Sequence, residues 1–206
     1  MSNTTIPCER VGWGLPHHSW PADDQNGNND GLPAELLFLG SSGVIQVPAF
    51  FCSCQVCEAA RADPRQRRTR ASLALLGQET TLIDATPDLE FQLERERIKR
   101  PDRIFITHWH YDHVWGLAAL GEPSSCAKWP PIEVYLPQQV AYHFDQELAF
   151  MKRKVNLHPI APGDRLELPD AAWQVVKTMH TEHSVGLYRG FRPKVRLSRG
   201  WRGASS

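Results

Sequence analysis

The chain has 206 residues, 41% of them hydrophobic, and balances 23 Lys and Arg against 23 Asp and Glu. That length buries a sizeable core in one domain, and the even charge removes any global field toward nucleic acid or an anionic membrane. No apolar run approaches the roughly 18 residues of a membrane span, and the start lacks a basic, then apolar, then small-residue leader, so the expected address is cytoplasmic.

Residues 1–33 are rich in Asn, Asp, Gly and Pro, with PADDQNGNNDGLP the clearest case, and show no sustained period of 2 or 3.6. They are expected to be a flexible extension ahead of a domain over 34–188. Leu36 to Leu39 is the first predicted strand, followed by the turn from Gly40 to Gly43. The stretch FFCSCQVCEAA then places three thiols, Cys52, Cys54 and Cys57, within six residues. Without a secretory leader, such spacing points to metal rather than to disulfides, and structural zinc is normally four-coordinate, so a fourth ligand is owed. Cys8 and Cys126 stand apart, and nothing in their spacing recruits them.

A short helix is expected from Glu58 to Ala62. Arg65, Arg67, Arg68 and Arg70 follow, and without interleaved aromatic side chains they read as a solvated, mobile loop rather than a phosphate or RNA site. Ala71 to Leu76 and Thr80 to Asp84 form a predicted hairpin around Gly77 and Gln78. Behind Pro87, the four-residue spacing of Leu89 and Leu93 and the early acids predict a helix from Asp88 to Arg97, and Pro101 closes that unit.

The run Ile104 to Thr107 carries no charge, which suits a buried strand, and His108, His110, Asp112 and His113 follow it directly. Side chains alternate in extended chain, so His108 and His110 point to one side and can close on a single ion at about 2.0 to 2.1 Å. Asp112 and His113 come where the chain curls into a predicted helix from Val114 to Leu120. There they can face a second ion about 3.5 to 4 Å from the first, the separation of hydrolytic two-metal sites. Trp109 and Trp115 flank the motif and read as core or rim packing.

Ile132 to Leu136 is the next strand, stopped by Pro137. Val140, Phe144, Leu148 and Met151 give Gln138 to Lys152 a helical spacing. Leu166 to Leu168 and Trp173 to Met179 are the last predicted strands. The second of these runs into His180, with His183 three residues on. From Arg189 to Ser206 the chain is Arg-rich, holds one Lys and no acid, and reads as an atypical basic tail without an apolar strand.

The H-x-H-x-D-H pattern resembles the signature of the metallo-β-lactamase superfamily. The resemblance implies an α/β fold, an αββα sandwich of mixed sheets flanked by helices, with a dinuclear metal site at one edge. It also implies that Asp84, ending the strand TLID, lies under the site and fixes a ligating imidazole. His180, in preference to His183, would complete the first ion with His108 and His110. Asp112, also the implied catalytic residue, and His113 would begin the second.

The C-x-C-x-x-C stretch after the first strand is similar to that of the cyclic phosphodiesterases encoded with carbon-phosphorus lyase and of the pyrroloquinoline quinone biosynthesis proteins B. This likeness implies a structural zinc on Cys52, Cys54 and Cys57. It further implies a metal-activated water attacking a small cyclic or diester phosphate and two divalent cofactor ions (Zn or Mn). The even charge and the lack of a long apolar run argue against a nucleic-acid or membrane partner, and a homodimer is one allowed assembly.

The chain departs from the family pattern after His180. Its last Asp is Asp170 and its last His is His183, which leaves the second ion short of ligands and reads as a C-terminal truncation or a shifted frame. An inactive metal-binding remnant and a quinone-cofactor biosynthesis protein are the alternative readings.

Overall fold

The computed structural model describes residues 35–169, 171–189 and 194–197. The predicted extension over 1–33 and most of the basic tail lie outside them. The larger sheet has seven strands in the spatial order β10 (Lys194–Leu197), β1 (Glu35–Gly40), β2 (Ser72–Leu76), β3 (Thr80–Ile83), β4 (Arg103–Phe105), β5 (Ile132–Pro137) and β6 (Val155–Ile160). β1, β2 and β3 form an antiparallel meander, β3 to β6 are all parallel, and β10 runs parallel to β1. A second, antiparallel sheet holds β7 (Arg165–Leu168), β8 (Ala171–Lys177) and β9 (Val185–Arg189).

Alternation along β4 assigns the two faces of the large sheet. Ile104 and Ile106 join a core with Leu89 and Leu93 of α2 (Leu89–Glu96) and Leu117 of α4 (Gly116–Ala119). That core also takes in Phe144 of α6 (Ala141–Glu147). Phe105, between the two isoleucines, faces the small sheet, where Ile160, Val175 and Val185 meet it. Its ring stacks on Tyr135 at 4.6 Å and leans on Trp173 at 5.8 Å. Each such fully buried side chain contributes about 1.5 to 3 kcal/mol of hydrophobic stabilisation.

Across β8, Trp173 and Val175 point inward, whereas Val176 and, on β9, Tyr188 are exposed. The described residues therefore build the helix, sheet and sheet layers of the expected αββα sandwich. Among the described residues no helix is long and apolar enough to cross a membrane.

Several expected elements are divided or displaced. The predicted helix at 114–120 becomes α3 (Tyr111–Val114), α4 and α5 (Gly121–Cys126), because the Gly116 N–H donates to the Ala85 carbonyl at 2.9 Å instead of continuing the helical ladder. The predicted helix from Gln138 to Lys152 splits into a 3-10 turn, α6 and a second 3-10 turn, since Val140 and Leu148 leave helical angles.

β6 was not anticipated. Its sequence VNLHPI has weak strand propensity, but as an edge strand it can carry Pro159 without breaking a shared ladder. The tail, expected to lack an apolar strand, contributes β10, which pairs with β1 in parallel from Glu35 opposite Lys194 to Phe38 opposite Leu197. The Arg loop is solvated as expected, with Arg65, Arg67 and Arg68 exposed. Arg65 pairs with Asp63, Arg67 donates to the Ala60 carbonyl, and Arg70 is held by both Asp88 oxygens.

Candidate metal centre

The parallel strands β3 and β4 end at the same edge, and their ends carry the site. Beyond β3, Asp84 takes a left-handed backbone (φ 64°) and its N–H donates to the Phe105 carbonyl at 2.8 Å. Non-glycine residues in that region are uncommon, and Asp is among the side chains that tolerate it best. The turn drives the buried carboxylate under the loop that follows β4. There Oδ1 accepts from the Thr107 backbone N–H at 2.8 Å, and the Thr107 hydroxyl lies 2.9 Å from Oδ2. Oδ2 also accepts from His113 Nδ1 at 2.6 Å.

These bonds determine which ring nitrogens are free. The Thr107 hydroxyl gives its one proton to Asp84, so at its 2.9 Å contact with His108 it accepts from Nδ1–H. His108 Nε2 is then left with its lone pair. Likewise, His113 uses Nδ1–H on Asp84 and leaves Nε2 free, 3.4 Å from Asp112 Oδ2. Burial, aided by the neighbouring charges of His113, His110 and His180, pulls the pKa of His108 down to about 4, which keeps it neutral as metal ligation requires. Burial opposes the charged form of His113, but the hydrogen bond and charge of Asp84, with Asp112, outweigh it and raise its pKa.

His108 Nε2 and His110 Nδ1 stand 3.2 Å apart. Two nitrogens bound to zinc at 2.0 to 2.1 Å in a tetrahedron are separated by about 3.3 Å, so this pair already has the spacing of a chelate. His180 closes the third side: ligand atoms of His108, His110 and His180 all lie within 4.8 Å of one another. His183 does not join the group, and its nearest acid is Glu182 at 3.9 Å.

The loop that carries His180 is tied by Ser184, which the sequence did not single out. Its buried hydroxyl accepts from the Thr181 N–H at 3.0 Å and from Thr178 Oγ1 at 2.8 Å. The next residue, Val185, donates its N–H to the Thr107 carbonyl at 2.9 Å, which holds the loop against the motif. Thr107 and Ser184 are hydroxyl residues of ordinary appearance, and only their contacts reveal a role.

Asp112 and His113, expected to begin a second site, lie side by side at 3.4 Å, but among the described residues they belong to no group of three ligand-type side chains that could hold an ion. Trp109 donates from Nε1 to Glu147 at 3.1 Å and packs against the helix-side core, while Trp115 is partly exposed beside Tyr111.

The thiols of Cys52, Cys54 and Cys57 also lie within 4.8 Å of one another, the last buried at α1 (Gln55–Ala62). The Cys57 backbone N–H, followed by the Cys52 and Cys57 side chains, pulls the Cys54 thiol down to about 7, which favours the thiolate that binds zinc. Three thiols fit a structural zinc, and no fourth ligand joins them among the described residues. Cys126 is elsewhere and exposed, and Cys8 lies outside the described residues.

The family model described as "Metallo-beta-lactamase superfamily" matches residues 67–195. A "Coenzyme PQQ synthesis protein B" of Rhodopseudomonas palustris is 32% identical over 66% of this chain and 48% of that protein. An "Octanoyltransferase" of Porphyromonas gingivalis is 33% identical over 68% of this chain and 28% of its own length. The chain thus spans less than half the length of these curated relatives. Among solved structures, a diphosphatase from the PhnP family superposes with a TM-score of 0.67 at 30% identity, over 75% of this chain and 61% of that one.

Proposed function

The chain belongs to the metallo-beta-lactamase superfamily, and on that footing we propose that it is a metal-dependent hydrolase of a small cyclic or diester phosphate. The observation that carries this reading is the meeting of His108, His110 and His180, with His108 Nε2 and His110 Nδ1 already at chelate spacing. A divalent cation such as zinc or manganese, when bound, lowers the pKa of a water and offsets charge on phosphoryl oxygens.

The chain's own residues prepare the place. His108 is kept neutral by burial, Thr107 and Asp84 set its tautomer, and Asp84 turns His113 Nε2 toward Asp112. Asp112 is assigned to the second ion and to the reacting water, beside the scissile phosphate. Cys52, Cys54 and Cys57 are assigned to a structural zinc that ties the loop after β1. The similarity to a PhnP-family diphosphatase supports a phosphate ester as substrate. The even overall charge supports a small molecule over nucleic acid.

A second reading, metal binding without turnover, is favoured by one observation: among the described residues Asp112 and His113 belong to no group of three ligand-type side chains that could hold an ion. The full chain loaded with zinc or manganese separates the two. Hydrolysis of bis(p-nitrophenyl) phosphate or a 2′,3′-cyclic nucleotide, abolished in H110A, supports the hydrolase. Stoichiometric metal on the histidines without turnover of either ester supports the second reading.

A further inference from the structure

The side of the motif turned away from the metal-binding nitrogens carries a second constellation. Trp109 stands between the two histidines in the loop that follows β4, and its side chain is held by groups other than those that face the metal-binding nitrogens. It packs against the helix-side core, where its ring meets the edge of Phe144 at 6.5 Å and lies parallel to His143 at 5.8 Å and 12°. Glu147, one turn along α6 from His143, holds both rings. Its Oε2 accepts from Trp109 Nε1 at 3.1 Å and its Oε1 lies 3.1 Å from His143 Nδ1.

We infer that Glu147 is a positioning residue for the metal centre, acting through Trp109. A backbone rotation at Trp109 moves the histidines on either side of it. An indole fixed at its core end and at its N–H prevents that rotation, and the spacing of His108 Nε2 and His110 Nδ1 is held at 3.2 Å, close to the tetrahedral edge. Asp84 and Thr107 orient His108 from one side. The described residues give the His110 ring no comparable carboxylate, and Glu147 supplies its constraint through the backbone.

The inference rests on the reading that the three histidines hold a metal, and its test reads metal affinity rather than turnover. Zinc affinity of the full chain is measured by competition with a chromogenic chelator for wild type, E147L and E147Q, with H110A identifying the histidine site. Loss of outer partners of metal ligands typically costs 10- to 100-fold in affinity. Acting one residue removed, E147L is expected to weaken the histidine site about tenfold and leave the cysteine site unchanged. E147Q keeps an acceptor for the indole and is expected to stay within about twofold of wild type.

Apo-protein melting temperatures accompany each measurement. An E147L chain that binds zinc at the histidines with wild-type affinity overturns the inference. So does a loss of affinity that E147Q does not rescue, or one matched by a collapse of the apo melting temperature. A wild type that binds zinc only at the cysteines overturns both this inference and the metal reading beneath it.

Discussion

At the residue scale, the centre is organised by one carboxylate. Asp84 accepts from Thr107 and from His113, and through Thr107 it sets the proton on His108. Replacing it by Asn removes the charge and presents an amide N–H where an acceptor is needed, so D84N is expected to misplace His113 and release the Thr107 hydroxyl. Zinc affinity at the histidine site should fall about 10- to 100-fold, read by chelator competition. His108, His110, Asp112 and His113 were legible in the sequence because ligand types crowded into a short spacing after a strand are rare, whereas Asp84 was implied by the family resemblance. The choice of His180 over His183 rested on the family resemblance, and the structure brings only His180 to the other two imidazoles. The choice of nitrogen on each ring was not legible, since it depends on Thr107 Oγ1 and Asp84 Oδ2, groups contributed by different strand ends.

At the element scale, the motif is clamped against the end of β3. The Ala85 N–H donates to the His113 carbonyl at 2.7 Å, and the Gly116 N–H donates back to Ala85 at 2.9 Å. This closeness leaves no room on Gly116, where an added Cβ would lie 2.1 Å from the Thr86 carbonyl oxygen. G116A therefore forces the backbone apart and is expected to destabilise the chain by about 1 to 3 kcal/mol, measured by urea denaturation. Weaker zinc binding should accompany it, because the same clamp positions His113.

Strands with apolar character, β1 to β5, β7 and β8, were readable from pattern alone. β6 was not, because an edge strand tolerates the Asn, His and Pro that argue against a central one. The broken helix after β5 escaped for a related reason: helical spacing of Val140, Phe144, Leu148 and Met151 tells that they are buried, and turns that bury them equally well share that spacing.

At the scale of the whole molecule, two candidate metal groups draw on separate segments. With metal bound, the cysteines would tie the loop after β1, and the histidines would join the end of β4 to the loop between β8 and β9. Metal that binds the folded chain and not the unfolded one stabilises it by about 4 kcal/mol when free ion is a thousandfold above its dissociation constant. Stripping with EDTA is therefore expected to lower the melting temperature by about 10 °C, followed by calorimetry, with partial recovery on adding zinc. C54S should remove a share of that recovery, and H110A another.

The chain's own pattern was enough to mark its family, because a buried strand followed by four ligand side chains has few other physical explanations. It also marked the cysteine group, since three thiols in six residues report a local geometry that the chain backbone itself imposes. The tertiary structure decided what depends on distant segments meeting: that His180 closes on His108 and His110, that Asp84 reaches Thr107 and His113, and that Glu147 at the end of α6 accepts from Trp109. Those contacts join residues dozens of positions apart across two sheets and a helix layer, and only the packing of the layers sets them within hydrogen-bond distance.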